Sequence, residues 1–285
     1  MANPTELLEP ALLERVLGKM ELSTHPRSTI AGLRALYSAW CRKVPFDNVR
    51  KLIHLHRNDR RALPGDDAAD FFESWLRYGT GGTCWSGNGA LHALLRSLGF
   101  ASARGLATML VAPGIPPNHG TVVVTCEERR FIVDASILHG EPLELAVSGP
   151  SSVAHPAWGA GCSVGDGQAI IQWRPLHKPD GLDCRIDGFD VSAETFRGLH
   201  EQSRPWSPFN YQLYGRINRG NGVIGTAFGQ RIEFDASGKP HQRELAPEER
   251  MKFVVEHLGI AEEIAAMLPQ DVPTPPPPPR SAAKE

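Results

Sequence analysis

The periodicity of the chain changes at Gly99. Ahead of it, apolar residues recur at three- and four-residue spacing; behind it, they come in short β-branched runs cut by turn residues. That order predicts an α+β fold: an N-terminal helical bundle, a central β-barrel-like sheet and a C-terminal α/β lobe. Helices are expected over 3–18, 27–41, 66–77, 84–98, 191–203 and 246–258, and Gly99 suits the end of the fourth. Strands are expected over 103–111, 121–126, 129–134, 169–173, 211–215, 222–228 and 230–234, with "EERR" (Glu127–Arg130) as a hairpin connection. Residues 146–168, rich in Gly, Ser, Ala and Pro, read as a long loop. The same pattern divides the chain into a helical domain (1–99), a β-rich domain (100–190), an α/β lid (191–267) and a disordered proline-rich tail (268–285).

At 285 residues, 41% hydrophobic and 22% charged, the chain can bury a core without a disulfide or metal staple. A net charge of -2 leaves no basic excess for a nucleic-acid backbone. No apolar run approaches a membrane span, and the N-terminal stretch is amphipathic rather than signal-like. Five scattered cysteines without CxxC spacing fit free thiols in a reducing compartment. The expectation is a cytoplasmic protein with no nucleic-acid, membrane or metal partner.

One cysteine stands apart. In "GTGGTCWSGNGALHALLRSLGF", Cys84 lies between glycines and the start of an apolar helical run. A cysteine there commonly packs as a small apolar residue. The start of a helix, however, carries partial positive charge and free N–H groups that favour a thiolate. Gly79, Gly81 and Gly82 would allow backbone amides around the sulfur, and such amides stabilise an oxyanion. "PPNHGTVVV" sets His119 ahead of one strand and "FIVDAS" sets Asp134 at the end of the next. A hairpin turning near Glu127–Arg129 brings these two side by side at one end of the sheet, which completes a nucleophile–base–orienter set with Cys84.

Rival sites are weaker. His54 and His56 of "HLH" read as residues of an exposed segment rather than metal ligands. "DDAAD" reads as charge at a helix start, and Asp183, Asp187 and Asp190 as solvated. No phosphate loop, dinucleotide fingerprint or GxSxG elbow occurs.

These motifs resemble those of the arylamine N-acetyltransferases, transglutaminase-like Cys–His–Asp acyltransferases, over most of residues 5–265. "VPFDNV" is similar to the family's (I/V)PFEN(L/V), "GGTCWSGNG" to RGG-x-C-(F/Y)-E-x-N, "NHGTVVV" to TH-xx-(L/V)-x-V, "FIVDAS" to WLVDVG, and "SPF" to a late family segment. The resemblance implies a cysteine-proteinase-like fold and acetyl transfer from acetyl-CoA through a Cys84 thioester to an aromatic amine. His119 would serve as base and then acid, and Asp134 would orient it. Acetyl-CoA or another acyl thioester would be a co-substrate, with no bound cofactor. Phe46, Trp85, Met109 and Phe209 would line the substrate pocket, and the Gly82 and Thr83 backbone would face the acyl oxygen. The chain departs from the pattern at Thr80, Trp85 and Ser86, and at "SILHG" after Asp134, while Asn88 is kept. These departures leave two other readings of the same triad open: a natural-product amide synthase fed by an acyl carrier protein, and a thiol hydrolase or amidase.

Overall fold

The structure, a computed structural model, describes residues 7–145, 149–165 and 167–278. Its first element, α1 (Pro10–Lys19), starts at Pro10, a residue suited to the first helical position. In α2 (Ile30–Lys43) the Thr29 hydroxyl caps the Gly32 N–H, and Leu33, Leu36, Tyr37 and Trp40 form the buried stripe. The helix α4 (Ala68–Tyr78) is capped by Asp67 and ended by Gly79 in the left-handed region (φ 73°). Its Phe71 and Phe72 pack on Trp40, stacked and edge-on respectively. Between these helices lie β1 (Phe46–Asp47) and α3 (Val49–His56), which the sequence reading does not anticipate. Val49, Leu52 and Ile53 are the apolar face of α3, and a helix of only eight residues leaves a short periodic signal. His54 is buried in it and His56 exposed, so the "HLH" pair does not share an exposed face.

The helix α5 (Cys84–Ser97) is buried on several faces, against α4, the β2 (Ala101–Met109) and β3 (His119–Cys126) strands and α6 (Ala193–Gln202). The two strands open an eight-stranded antiparallel sheet completed by β4 (Arg129–Val133), β5 (Leu143–Glu144), β6 (Ser151–Val153), β7 (Ala160–Gly165), β8 (Gln168–Trp173) and β9 (Leu182–Phe189). Strand order is β5-β4-β3-β2-β9-β8-β7-β6, and the Ser151 hydroxyl donates to the Glu144 carbonyl, so the two edges meet in a nearly closed barrel. The long loop expected over 146–168 is interrupted by two strands. Residues 151–153 and 160–165 are strands, although residues 146–148 and 166 lie outside the described residues. Small residues hide this from a hydropathy reading: only Ala160 and Cys162 turn inward on β7.

The late residues build a five-stranded antiparallel sheet from β10 (Tyr214–Arg219), β11 (Gly222–Ala227), β12 (Gln230–Phe234) and β13 (Pro240–Glu244). Its other edge is β1, from the helical region, through the Phe46–Arg216 pair. The strand expected at 211–215 begins only at Tyr214: residues 211–213 lead out of a 3-10 turn, Pro208–Asn210, and the Tyr211 and Gln212 carbonyls accept from Val272 N–H and the Asn48 side chain. The helices α7 (Arg250–Leu258) and α8 (Glu262–Ala265) close this lobe. Beyond them the chain is extended against the body: Val272 N–H donates to Tyr211, and Trp206 Nε1–H to the Pro275 carbonyl. No described helix is long and apolar enough to cross a membrane.

Candidate active site

The sequence brings Cys84 to the first position of α5, with Thr83 as the residue before the helix. The glycine loop ahead of it has a different purpose from the one its sequence suggests. A Cβ on Gly81 would lie 1.7 Å from the Pro45 carbonyl oxygen, so the glycine exists to let β1 pass. Phe46 bridges Gly82 in parallel, Asp47 N–H donates to the Gly82 carbonyl at 3.2 Å, and the Gly81 N–H donates to Asp47 Oδ2 at 2.6 Å. The Gly81 amide is therefore committed to Asp47 rather than to the sulfur. Burial pushes the Asp47 carboxyl up to about 6, with the Gly81 and Val49 N–H groups opposing it.

The β3–β4 hairpin turns on Glu127 and Glu128, both at positive φ, 50° and 61°. That two-residue turn matches the strand twist and registers Val122 with Val133. His119 and Asp134 consequently meet at the open end of the hairpin, with His119 Nε2 2.8 Å from Asp134 Oδ2. The remaining ring nitrogen, Nδ1, stays available to Cys84, whose helix packs against the strand that carries His119. All three groups are sequestered: Cys84 is 7% exposed, His119 3% and Asp134 0%.

Burial alone would pull the His119 imidazole down. The charge of Asp134 and its hydrogen bond, helped by Cys84, overcome this and raise it to about 10. Burial likewise pushes Asp134 up, but the His119 cation and the Ile137 and Ser136 N–H groups hold it well below the usual carboxylate range. The pair is thus an ion pair at neutral pH, with the proton on the imidazole.

Asp134 is fixed from several directions. Its Oδ1 accepts the Ser136 and Ile137 N–H groups at 2.8 and 3.0 Å. The Tyr37 hydroxyl donates to its carbonyl at 2.8 Å and accepts its N–H at 3.1 Å. Asn88, one helical turn after Cys84, donates to the Gly120 carbonyl at 2.6 Å and accepts the Ala135 N–H at 2.9 Å. One side chain thereby ties the cysteine helix to the strand that carries His119 and to the segment after β4 that carries Asp134.

Phe46 and Phe209 come together, with ring centroids 5.3 Å apart, and Tyr214 completes the cluster at 5.4 and 5.2 Å from them. Asn48 holds that arrangement by donating to the Phe209 and Gln212 carbonyls and accepting the Tyr214 N–H. Trp85 points elsewhere: it packs edge-on against Phe196 of α6, at 5.1 Å. Met109, at the end of β2, packs against the barrel core instead of the aromatic cluster. Sequence reasoning missed Tyr37, Asp47, Asn48 and Tyr214. The adjacent polar pair Asp47–Asn48 in an apolar break was a usable signal; Tyr37 is indistinguishable from the other core positions of α2.

No group of His, Cys, Asp and Glu among the described residues is arranged to hold a metal. A cavity of 680 Å³ lined by residues such as Arg34, Cys41 and Trp158 contains none of the three site residues. Cavity size does not locate this site; the convergence of buried polar groups does.

Residues 29–151 match a protein family described as N-acetyltransferase. No curated protein matches the chain in sequence. The fold is similar to the arylamine N-acetyltransferase of Nocardia farcinica (TM-score 0.75, 18% identity, 94% of this chain and 97% of that one). It is also similar to the Salmonella typhimurium arylamine N-acetyltransferase (0.74, 18%, 92% and 99%). A third similar structure is the Mycobacterium marinum arylamine N-acetyltransferase in complex with CoA (0.75, 15%, 90% and 98%).

Proposed function

We propose that this chain, a divergent member of the arylamine N-acetyltransferase family, moves an acetyl group from acetyl-CoA to an aromatic amine through a thioester on Cys84. The observation that carries this reading is the buried His119–Asp134 ion pair, with Cys84 at the start of the helix that packs on the His119 strand. The likeness to a fold solved with CoA supports a CoA thioester as the donor. No resident cofactor or metal enters the scheme.

With the proton already on His119, Cys84 attacks the acetyl carbonyl as a thiolate. The developing oxyanion lies against the backbone of Gly82 and Thr83 and the N-terminus of α5, whose amides stabilise it. The carbon–sulfur bond to CoA breaks, and CoA leaves as a thiol with the His119 proton. The neutral imidazole then takes a proton from the amine as its nitrogen attacks the thioester. That step releases the amide and restores thiolate and imidazolium. Asp134 stays ionised throughout and keeps the ring oriented. The Phe46–Phe209–Tyr214 cluster supplies an aromatic wall for a flat amine. Chemistry of this kind suits the cytoplasm, where acetyl-CoA is the donor and the five unpaired cysteines stay reduced.

Initial rates measured while varying acetyl-CoA at several amine concentrations test the scheme. Parallel double-reciprocal lines, with CoA released before any amine is added, support it. Intersecting lines with no amine-independent CoA release rule out a covalent intermediate.

A further inference from the structure

Lys51 lies in the first turn of α3 and is 5% exposed, yet it forms no ion pair with a carboxylate among the described residues. Its ammonium donates to Ser203 Oγ at 2.8 Å and lies 3.4 Å from the Ser203 carbonyl. Asp47 holds the start of the Lys51 helix against the loop that delivers Cys84, accepting the Val49 and Gly81 N–H groups, while Phe46 bridges Gly82. The nearby Glu201 carboxylate is already committed: Arg204 donates to both its oxygens, and the Leu63 N–H donates at 2.6 Å. His200, also buried, joins the cluster through Ser203, whose hydroxyl donates to the His200 carbonyl at 2.6 Å; burial, followed by the Lys51 charge, lowers its imidazole to about 3. A lysine buried beside a nucleophile without its own counter-ion is costly unless a ligand supplies the charge.

We propose that Lys51, with Ser203 and His200, forms a carboxylate-binding subsite beside Cys84 that selects acyl groups bearing a terminal carboxylate, such as malonyl or succinyl. This rests on the acyl-enzyme reading above. Cys84 attacks the thioester carbonyl, CoA departs with the His119 proton, and the distal carboxylate pairs with the Lys51 ammonium. Its three donors suit this: the Ser203 hydroxyl engages one and leaves others for the carboxylate. A charge-assisted bond in a dry site is stronger than a neutral one, so the subsite discriminates against acetyl.

The test is the rate at which the protein gains acyl mass, without amine, from acetyl-CoA, malonyl-CoA and succinyl-CoA. The wild-type chain is expected to take malonyl or succinyl about ten- to a hundredfold faster than acetyl. In Lys51→Met that ratio should fall by about tenfold or more, and Lys51→Arg should keep most of it. Aminobenzoate and aniline, compared as acceptors in the second half-reaction, distinguish a carboxylate on the amine. If Lys51→Met alters only that comparison, the acyl-group assignment is overturned. A wild-type preference for acetyl overturns the subsite but leaves acyl transfer standing, and this result needs no variant to fold. No acylation by any of the three thioesters overturns both.

Discussion

The Asp47 carboxylate accepts the Gly81 N–H at 2.6 Å, which ties the "VPFDN" segment to the loop that delivers Cys84. Its other oxygen accepts the Val49 N–H at 3.0 Å and anchors the start of α3. One buried acid therefore sets the spacing between Phe46, Lys51 and the cysteine. Asp47→Ala leaves two amides unsatisfied and should cost about 1–3 kcal/mol for each buried group, measured by urea unfolding. The pH dependence has a definite sign. Because burial raises the folded-state value from 3.8 to about 6, the native state holds a proton that the unfolded chain releases. Wild-type stability gains from Asp47 below pH 3.8 and loses that gain as pH rises through about 6. Asp47→Asn cannot lose it, so the difference between Asn variant and wild type should move in the variant's favour over that range. A flat difference curve would contradict the assignment.

His119 predicts a second, separate pH effect. Its folded-state value is raised from 6.5 to about 10, so its stabilisation is full below pH 6.5 and is lost as pH rises through about 10. The stability advantage of wild type over His119→Gln should shrink across that window. Asp134 contributes in the opposite direction, above pH 3.8, and its share is lost only in strong acid. Chemical denaturation of both proteins at a series of pH values reads the effect. Acetyl transfer by His119→Gln should fall by about 10²- to 10⁴-fold, the usual contribution of a positioned acid–base group.

Asn88 separates alignment from chemistry. Asn88→Ala frees the Gly120 carbonyl and the Ala135 N–H, both buried, and should destabilise the fold by about 1–3 kcal/mol per group. It should also slow acylation of Cys84, because the helix and the hairpin are no longer locked together. Asn88→Asp keeps the acceptor for Ala135 but sets a second carboxylate against Asp134, so it should be more harmful to activity than to binding of the amine. Rates of acylation and amine KM distinguish these outcomes.

The meeting of His119 with Asp134, and the place of Cys84 at a helix start, were legible because each depends on local rules. Gly79 ends α4, α5 begins at Cys84, and a two-residue turn at Glu127–Glu128 registers His119 with Asp134. The barrel was harder to read. β7 buries only Ala160 and Cys162, and β9 alternates Leu182, Cys184 and Ile186 with charged residues inside a segment that looks solvated. Its pairing with β2 and β8 is a tertiary fact with a faint local signature. Lys51 was invisible for a related reason: a lysine in a short amphipathic run reads as surface, and its partner, Ser203, lies 152 residues away at the end of α6. Trp85 shows the opposite error, since an aromatic beside the cysteine reads as a pocket wall when it packs against Phe196.

The proposed reaction requires the Cys84 sulfur to carry the acyl group. Intact-mass measurement after incubation with acetyl-CoA, followed by peptide mapping, tests it most directly. A thioester on Cys84 gives a gain of about 42 Da, as one acetyl group requires, located on Cys84, absent from Cys84→Ala and discharged by an aromatic amine. An unmodified mass, or an acetyl group on another residue that persists in Cys84→Ala, would contradict it.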